Sequence, residues 1–190
     1  MHLFRNRSHP ALPAFGLTLL LIAGSPTPGT AQATEPTGGV HMQIGMGPAT
    51  SDMLGFLFAV SNQSSDMRGF TIRTQLMNEL SFFGPSDTAF EAAVLVTLSR
   101  GQTAKTHARI SVGPAFLRHK IHGRGISGCT FFGCSTYESE IETGVGGAFQ
   151  VDGMWTPSPN FGLGVALLGH ASGPMQFMSF AIHIAFGKVR

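Results

Sequence analysis

Bulky apolar residues alternate with small or polar residues along most of the chain, and the C-terminal stretch shows the pattern best. From Gln176 onward the odd positions are mostly small or polar, and the even positions are bulky and apolar: Met178, Phe180, Ile182, Ile184 and Phe186. A period of two is typical of a β-strand with two unlike faces. The pattern therefore predicts a strand here and not an amphipathic helix.

Eight segments show this alternation: 40–47, 56–61, 70–76, 90–99, 107–113, 138–151, 161–167 and 176–187. The connections between them alternate between short stretches rich in turn-forming residues and longer ones, of which 119–136 is much the longest. That rhythm is typical of an up-and-down meander whose two ends face different compartments. The sequence therefore predicts an all-β fold, a single antiparallel up-and-down β-barrel of about eight strands.

The first 33 residues have the features of a secretory signal peptide. Arg5 and Arg7 give a basic start, residues 14–23 form an apolar run, and Ala31-Gln32-Ala33 fits a small-residue cleavage site. A helical membrane anchor is the alternative, but the apolar run is shorter than the roughly 20 residues that a spanning helix needs. We therefore expect residues 1–33 to be a cleaved signal peptide and residues 34–190 to form one exported domain.

Composition narrows the class of protein further. The chain has a formal net charge of +2, and Arg5 and Arg7 account for it, so the expected mature domain is formally neutral. A neutral domain lacks the basic surface of a nucleic-acid-binding protein, so we expect no nucleic acid among its partners. Charged residues are 12% of the chain, about half the usual share, beside 25 Gly and 16 Phe. This mixture favours a domain that crosses a membrane with strands.

The second face of the predicted strands decides which side of the barrel is inside. A soluble lipocalin-like barrel, which is the alternative, would put the apolar face inward around an apolar ligand. Here the second face is small, with few charges of both signs, and so it suits the narrow interior of an eight-stranded barrel. We therefore expect the apolar face to contact outer-membrane lipid and the charges to pair inside. The predicted interior charge network is Arg73, Glu91, Arg109, Glu138, Glu140 and Glu142.

The C-terminal sequence NFGLGVALLGHASGPMQFMSFAIHIAFGKVR resembles the last hairpin of small bacterial outer-membrane β-barrel proteins with OmpA/OmpX-like architecture. The resemblance is one of architecture and covers nearly all of the expected mature chain. It implies a bacterial cell outer membrane location, periplasmic termini and a long loop outside the cell. It carries over neither a cofactor nor catalytic residues. A filled eight-stranded barrel is not expected to be a general porin, which leaves a structural or surface-interaction role as the expected function.

Two cysteines lie in the longest predicted loop. Cys129 and Cys134 are expected to form a disulfide in an exported protein. A zinc site that also uses His119 and His122 is the alternative, although the spacing is not that of a standard zinc finger. The disulfide would hold two exposed phenylalanines at the tip of the 119–136 loop, where we expect an extracellular partner to contact Phe131 and Phe132.

One short motif raises the question of enzymatic activity. His170-Ala171-Ser172 resembles the His-x-Ser of outer-membrane lipid A deacylase barrels, which use a His-Ser-Glu triad. A nucleophilic serine needs a base within reach and a third group that orients the base. No Asp or Glu follows Asp152, and alternation places His170 and Ser172 on the inward face, away from a lipid substrate. The sequence therefore predicts that the protein is not an enzyme, with a deacylase-like hydrolase as the alternative.

Overall fold

The barrel closes completely. The computed structural model describes residues 39–50, 52–63, 68–80, 86–100, 105–130, 133–173 and 175–189; the predicted signal peptide lies outside them. Each strand pairs antiparallel with the next, and β1 pairs with β8. The strands are β1 (Gly39–Ala49), β2 (Met53–Gln63), β3 (Arg68–Glu79), β4 (Thr88–Arg100), β5 (Thr106–Thr130), β6 (Gly133–Ser158), β7 (Phe161–Ser172) and β8 (Gln176–Gly187). The predicted fold is confirmed. Within the described ranges, no helix is long and apolar enough to cross a membrane.

The two faces of the wall are oriented as predicted. Val165, Phe180 and Ile182 point outward and are 47%, 42% and 64% exposed, whereas Ala181 and His183, which alternate with Phe180 and Ile182 on β8, are buried. Apolar side chains on the outside and polar ones on the inside are the arrangement of a transmembrane barrel. The alternative of a soluble barrel with an apolar interior is wrong, because it requires the opposite orientation.

Strands β5 and β6 are much longer than the sequence pattern predicts. They contain 25 and 26 residues, whereas the other strands contain 11 to 13. Pairing of β5 with β4 ends at Lys120, and pairing of β6 with β7 ends at Gly146. Residues 121–130 and 133–145 therefore extend beyond the barrel wall and include a two-stranded ladder, which we call the extended hairpin. The predicted 119–136 loop is mostly strand in the structure, which corrects that prediction.

Inward-facing glycines make room for larger polar neighbours. A Cβ atom added to Gly164 would lie 2.6 Å from Nε2 of His183, and one added to Gly45 would lie 2.8 Å from the His183 Cβ. Real Cβ atoms essentially never come that close to another heavy atom. The glycines of β1 and β7 thus leave the space that the imidazole occupies between them.

Apolar side chains fill both ends of the interior. We call the end at which β1 begins and β8 ends the terminal end, and the opposite end the hairpin end. At the hairpin end the buried cluster is Met53, Met77, Ala89, Leu117 and Phe177. At the terminal end, the chain turns at Gly187 (φ 109°), and Val189 packs against Met154 and Ala185. The pattern had predicted a small or polar inner face. The larger side chains are found inside because a closed barrel must be filled by its own residues.

Candidate functional site

A buried ion pair joins β5 and β6 in the polar interior. Nε of Arg109 donates to Oδ1 of Asp152 at 2.9 Å, and its Nη2 donates to Oδ2 at 3.1 Å. This two-point contact is the strongest geometry of the arginine–carboxylate pair. Nη1 of Arg109 donates to Nε2 of His41 at 2.7 Å, and because arginine only donates, His41 must accept there as a neutral imidazole. Both charged side chains are about 1% exposed.

Amides extend this network across the interior. Nε2 of Gln150 donates to Oδ2 of Asp152 at 3.0 Å and to Oε1 of Gln43 at 3.3 Å. Nε2 of Gln43 contacts Nε2 of His183 at 3.3 Å. The network thus links side chains of β5 and β6 with side chains of β1 and β8. Its side chains therefore fill this part of the interior.

A second buried pair connects other strands. Nη2 of Arg73 on β3 donates to Oε1 of Glu91 on β4, and both side chains are fully buried. Nη1 of the same arginine donates to the carbonyl of Phe149 on β6 at 2.8 Å. Nearer the hairpin end, Nε2 of Gln75 on β3 donates to Oγ of Ser179 on β8 at 2.6 Å. These contacts span the interior in two further places.

A chain of hydroxyl groups runs around part of the inner wall. Ser61, Thr71, Thr97 and Ser111 stand on four consecutive strands, and their oxygens lie 2.9, 2.7 and 2.9 Å apart in that order. Each hydroxyl can donate one hydrogen bond and accept from a neighbour. The chain therefore satisfies four buried polar groups without a charge.

The structure places the residues of the predicted charge network in two different regions. Arg73, Glu91 and Arg109 lie in the interior, but Glu140 is exposed and Glu142 only half-buried, because both belong to the extended hairpin beyond the wall. The side chain of Glu138 lies outside what the structure describes. The partner of Arg109 is Asp152, which the sequence analysis did not include. Extending the β6 alternation by one residue beyond Val151 would have placed Asp152 inside.

The predicted disulfide falls on the extended hairpin, and the predicted contact residues fall between its two strands in the sequence. Its register places Cys129 directly opposite Cys134, but their side chains lie outside the described part of the structure, as do residues 131–132, so the disulfide and the contacts of Phe131 and Phe132 stay predictions. At its base, the backbone N–H of His122 donates to Oδ1 of Asp87 at 2.7 Å. Among described residues, no group of three or more His, Cys, Asp or Glu side chains is placed to hold a metal ion.

His170 and Ser172 both lie on the inward side, but they do not form a hydrogen-bonded pair. The His170 ring stacks on Phe177, with ring centroids 5.4 Å apart and planes 6° apart. Oγ of Ser172 donates to the carbonyl of Met175 at 3.0 Å. The serine is thus bonded to the backbone of the β7–β8 turn instead of the imidazole.

No protein-family model and no curated protein sequence matches the chain, so the similarities to known proteins are those of structure. The N-terminal β-barrel domain of Pseudomonas aeruginosa OprF matches with a TM-score of 0.59, 8% identity, and coverage of 80% of this chain and 98% of that domain. The fold is that of a small outer-membrane β-barrel. Neisserial surface protein A matches with a TM-score of 0.55, 8% identity, and coverage of 78% and 96%.

A third similar structure is that of a Yersinia pestis protein with a bound ligand. Ail, the attachment invasion locus protein, in complex with the heparin analogue sucrose octasulfate, matches with a TM-score of 0.55 and 11% identity. The match covers 80% of this chain and 99% of Ail. At such identities these likenesses concern the fold, which agrees with the OmpA/OmpX-like architecture that the sequence resembles.

Proposed function

We propose that this protein is an outer-membrane β-barrel that has a structural or surface-interaction role and is not a general porin. The orientation of the wall is the observation that supports this proposal most directly. Large apolar side chains are exposed on all eight strands, including Ile72, Val96 and Ile182, which are 51%, 60% and 64% exposed. Exposing this much apolar surface in water would be strongly unfavourable, whereas lipid removes the cost.

The filled interior supports a role other than general diffusion. Two buried charge pairs and the amide network cross it, and apolar clusters lie at both ends. A wide aqueous channel needs more strands than eight, because the interior of a small barrel is only wide enough for its own side chains. We therefore propose that the protein acts through its outer surfaces and not by letting solutes diffuse through its interior.

The extended hairpin is the surface that we propose for contact with an extracellular partner. Its strands continue for roughly 30 Å of chain beyond the wall at the strand rise of about 3.3 Å per residue. Outer-membrane barrels have short periplasmic turns and longer extracellular loops, so the hairpin end is assigned to the outside and the termini to the periplasm. Ail, which has a similar fold, is in complex with a heparin analogue in its solved structure, so a barrel of this fold can bind a ligand.

Surface labelling of single cysteines tests both the location and the direction of insertion. In a Cys129→Ser/Cys134→Ser background, Ser139→Cys puts a thiol on an exposed position of the extended hairpin. A membrane-impermeant maleimide should label it in intact cells. The matched variant Asn160→Cys, in the exposed turn between β6 and β7 at the terminal end, should be labelled only after the outer membrane is permeabilised.

Two results would contradict the proposal. Recovery of the protein in the soluble fraction without detergent would exclude a membrane barrel. Labelling of Asn160→Cys but not Ser139→Cys in intact cells would show that the barrel is inserted in the opposite direction, and the hairpin could then not meet an extracellular partner.

A further inference from the structure

Two cations interrupt the apolar exterior near the hairpin end. Among strand residues whose side chains the structure describes, the charged residues on the outward face are Arg118 and Lys120, both on β5. Arg118 is exposed and Lys120 is half-buried. The next outward residue toward the middle of the barrel is Phe116, which is 42% exposed. The two cations therefore stand at the border of the apolar band.

Hydroxyl groups flank the two cations on the neighbouring strands. The register places Thr143 of β6 directly across from Arg118, and Thr88 of β4 directly across from Lys120. Directly opposed residues of an antiparallel pair have Cβ atoms about 4.5–5.5 Å apart. Residues two apart on one strand are separated by about 6.8 Å. These four side chains, which we call the basic patch, thus place two long cationic side chains within reach of one phosphate group, with one hydroxyl group on either side of β5.

Nearby carboxylates do not neutralise the basic patch. Within the described ranges, neither Arg118 nor Lys120 forms an ion pair. Oδ1 of Asp87 already accepts the backbone N–H of His122 at 2.7 Å. Glu142 lies opposite His119, and alternation puts both on the other face of the ladder. The outward face therefore presents two cations and two hydroxyl groups with no acidic residue among them.

We propose that the basic patch binds the phosphate group of an anionic membrane lipid whose acyl chains lie along Phe116 and Phe90. This inference rests on the proposed membrane location. Arginine donates to phosphate at two points, and both long cationic side chains can lie along the apolar surface with their charges at the headgroup level. A lipid is favoured over a free anion because the patch borders the apolar band, where a headgroup would be held by its own chains.

Native mass spectrometry of the full mature chain in a neutral detergent tests this inference. Phosphatidic acid and phosphatidylcholine with the same acyl chains are the two probes, because they differ in headgroup charge. The wild-type barrel should bind phosphatidic acid more tightly. The double variant Arg118→Gln/Lys120→Gln should lose about fivefold in phosphatidic acid affinity for each cation removed and little affinity for phosphatidylcholine.

A cation at the opposite end serves as the matched control. Lys188 is exposed at the terminal end, so Lys188→Gln should leave the preference for phosphatidic acid unchanged. Equal affinity of the wild type for both lipids, or an unchanged preference in the double variant, would overturn the inference. If either result is obtained while the barrel is folded and Ser139→Cys is still labelled in intact cells, the lipid site is wrong but the proposed function is not contradicted. Displacement of the lipid by equimolar inorganic phosphate would also overturn it, since the acyl chains would then contribute nothing.

Discussion

At the scale of single residues, the interior is organised by pairing each buried charge. Alternation along β5 is enough to place Arg109 inside, because its neighbours in the strand are apolar and face outward. Its partner was not predictable from charge alone, since four glutamates were available to pair with two arginines. The register, which sets Arg109 directly opposite Asp152, selects the partner. The local pattern determines whether a side chain points inward or outward, whereas the cross-strand register determines which charged side chains form a pair.

Removing one member of this pair should destabilise the barrel strongly. Arg109→Met leaves the buried carboxylate of Asp152 without its cation, and we expect a loss of about 3–5 kcal/mol in the free energy of unfolding. Urea titration in lipid vesicles, followed by the fluorescence of Trp155, measures this loss. The double variant Arg109→Met/Asp152→Leu should be more stable than the single variant. A single variant as stable as the wild type would show that the pair is not buried.

The inward glycines should not tolerate a methyl group where they face a large neighbour. Gly164→Ala would place its Cβ 2.5 Å from the carbonyl oxygen of Gly153 and 2.6 Å from the His183 ring, so we expect a loss of about 1–3 kcal/mol by the same titration. Gly147 is the control, because a Cβ added there meets nothing within 4 Å. Equal effects of Gly164→Ala and Gly147→Ala would contradict the assignment of Gly164 to the crowded interior.

At the scale of elements, β5 and β6 show where sequence periodicity stops being informative. Between 121 and 137 the sequence is rich in glycine and lacks the apolar alternation. The strands of the wall separate lipid from a filled interior, but the extended hairpin does not, so its two faces need not differ. The ladder there is held by backbone pairing and contains register shifts between His122 and Cys129. A strand shows a period of two when its two faces lie in different surroundings, and a strand with similar surroundings on both faces lacks that pattern.

The facing positions of Cys129 and Cys134 make the predicted disulfide a local clamp on this hairpin. We expect alkylation of both thiols, read as a mass increase, only after a reducing agent is added. Because residues 121–130 and 133–145 extend beyond the barrel wall, Cys129→Ser/Cys134→Ser should leave the urea midpoint of the barrel unchanged while making the hairpin more sensitive to protease. Alkylation of the wild-type protein without reductant would contradict the disulfide.

At the scale of the whole molecule, the barrel is a closed wall with apolar side chains facing outward. Closure leaves no unpaired strand edge around the wall, which is what a strand structure needs in order to cross a bilayer. The same closure confines the interior, so it must be filled by side chains from all eight strands. Small residues such as Gly45 and Ala59 and paired charges such as Arg73 and Glu91 meet that requirement together.

A charge placed on the outer wall tests this arrangement as a whole. Ile182 is 64% exposed near the middle of β8, and we expect Ile182→Arg to cost about 2–4 kcal/mol in vesicles, because arginine is unfavourable in the bilayer interior. Ser139→Arg on the exposed hairpin is the control and should have little effect. If the urea midpoint is the same for Ile182→Arg and the wild type, then this wall does not face lipid.

The sequence by itself determined the fold class, the number of strands and the orientation of the two faces. These follow from a period of two repeated in eight segments, combined with a second face too small and too weakly charged to face water. Only the tertiary structure decided that Arg109 pairs with Asp152, that Val189 closes the terminal end, and that β5 and β6 continue beyond the wall. Those features depend on register and closure, which join residues far apart in the chain and leave no periodic trace in it.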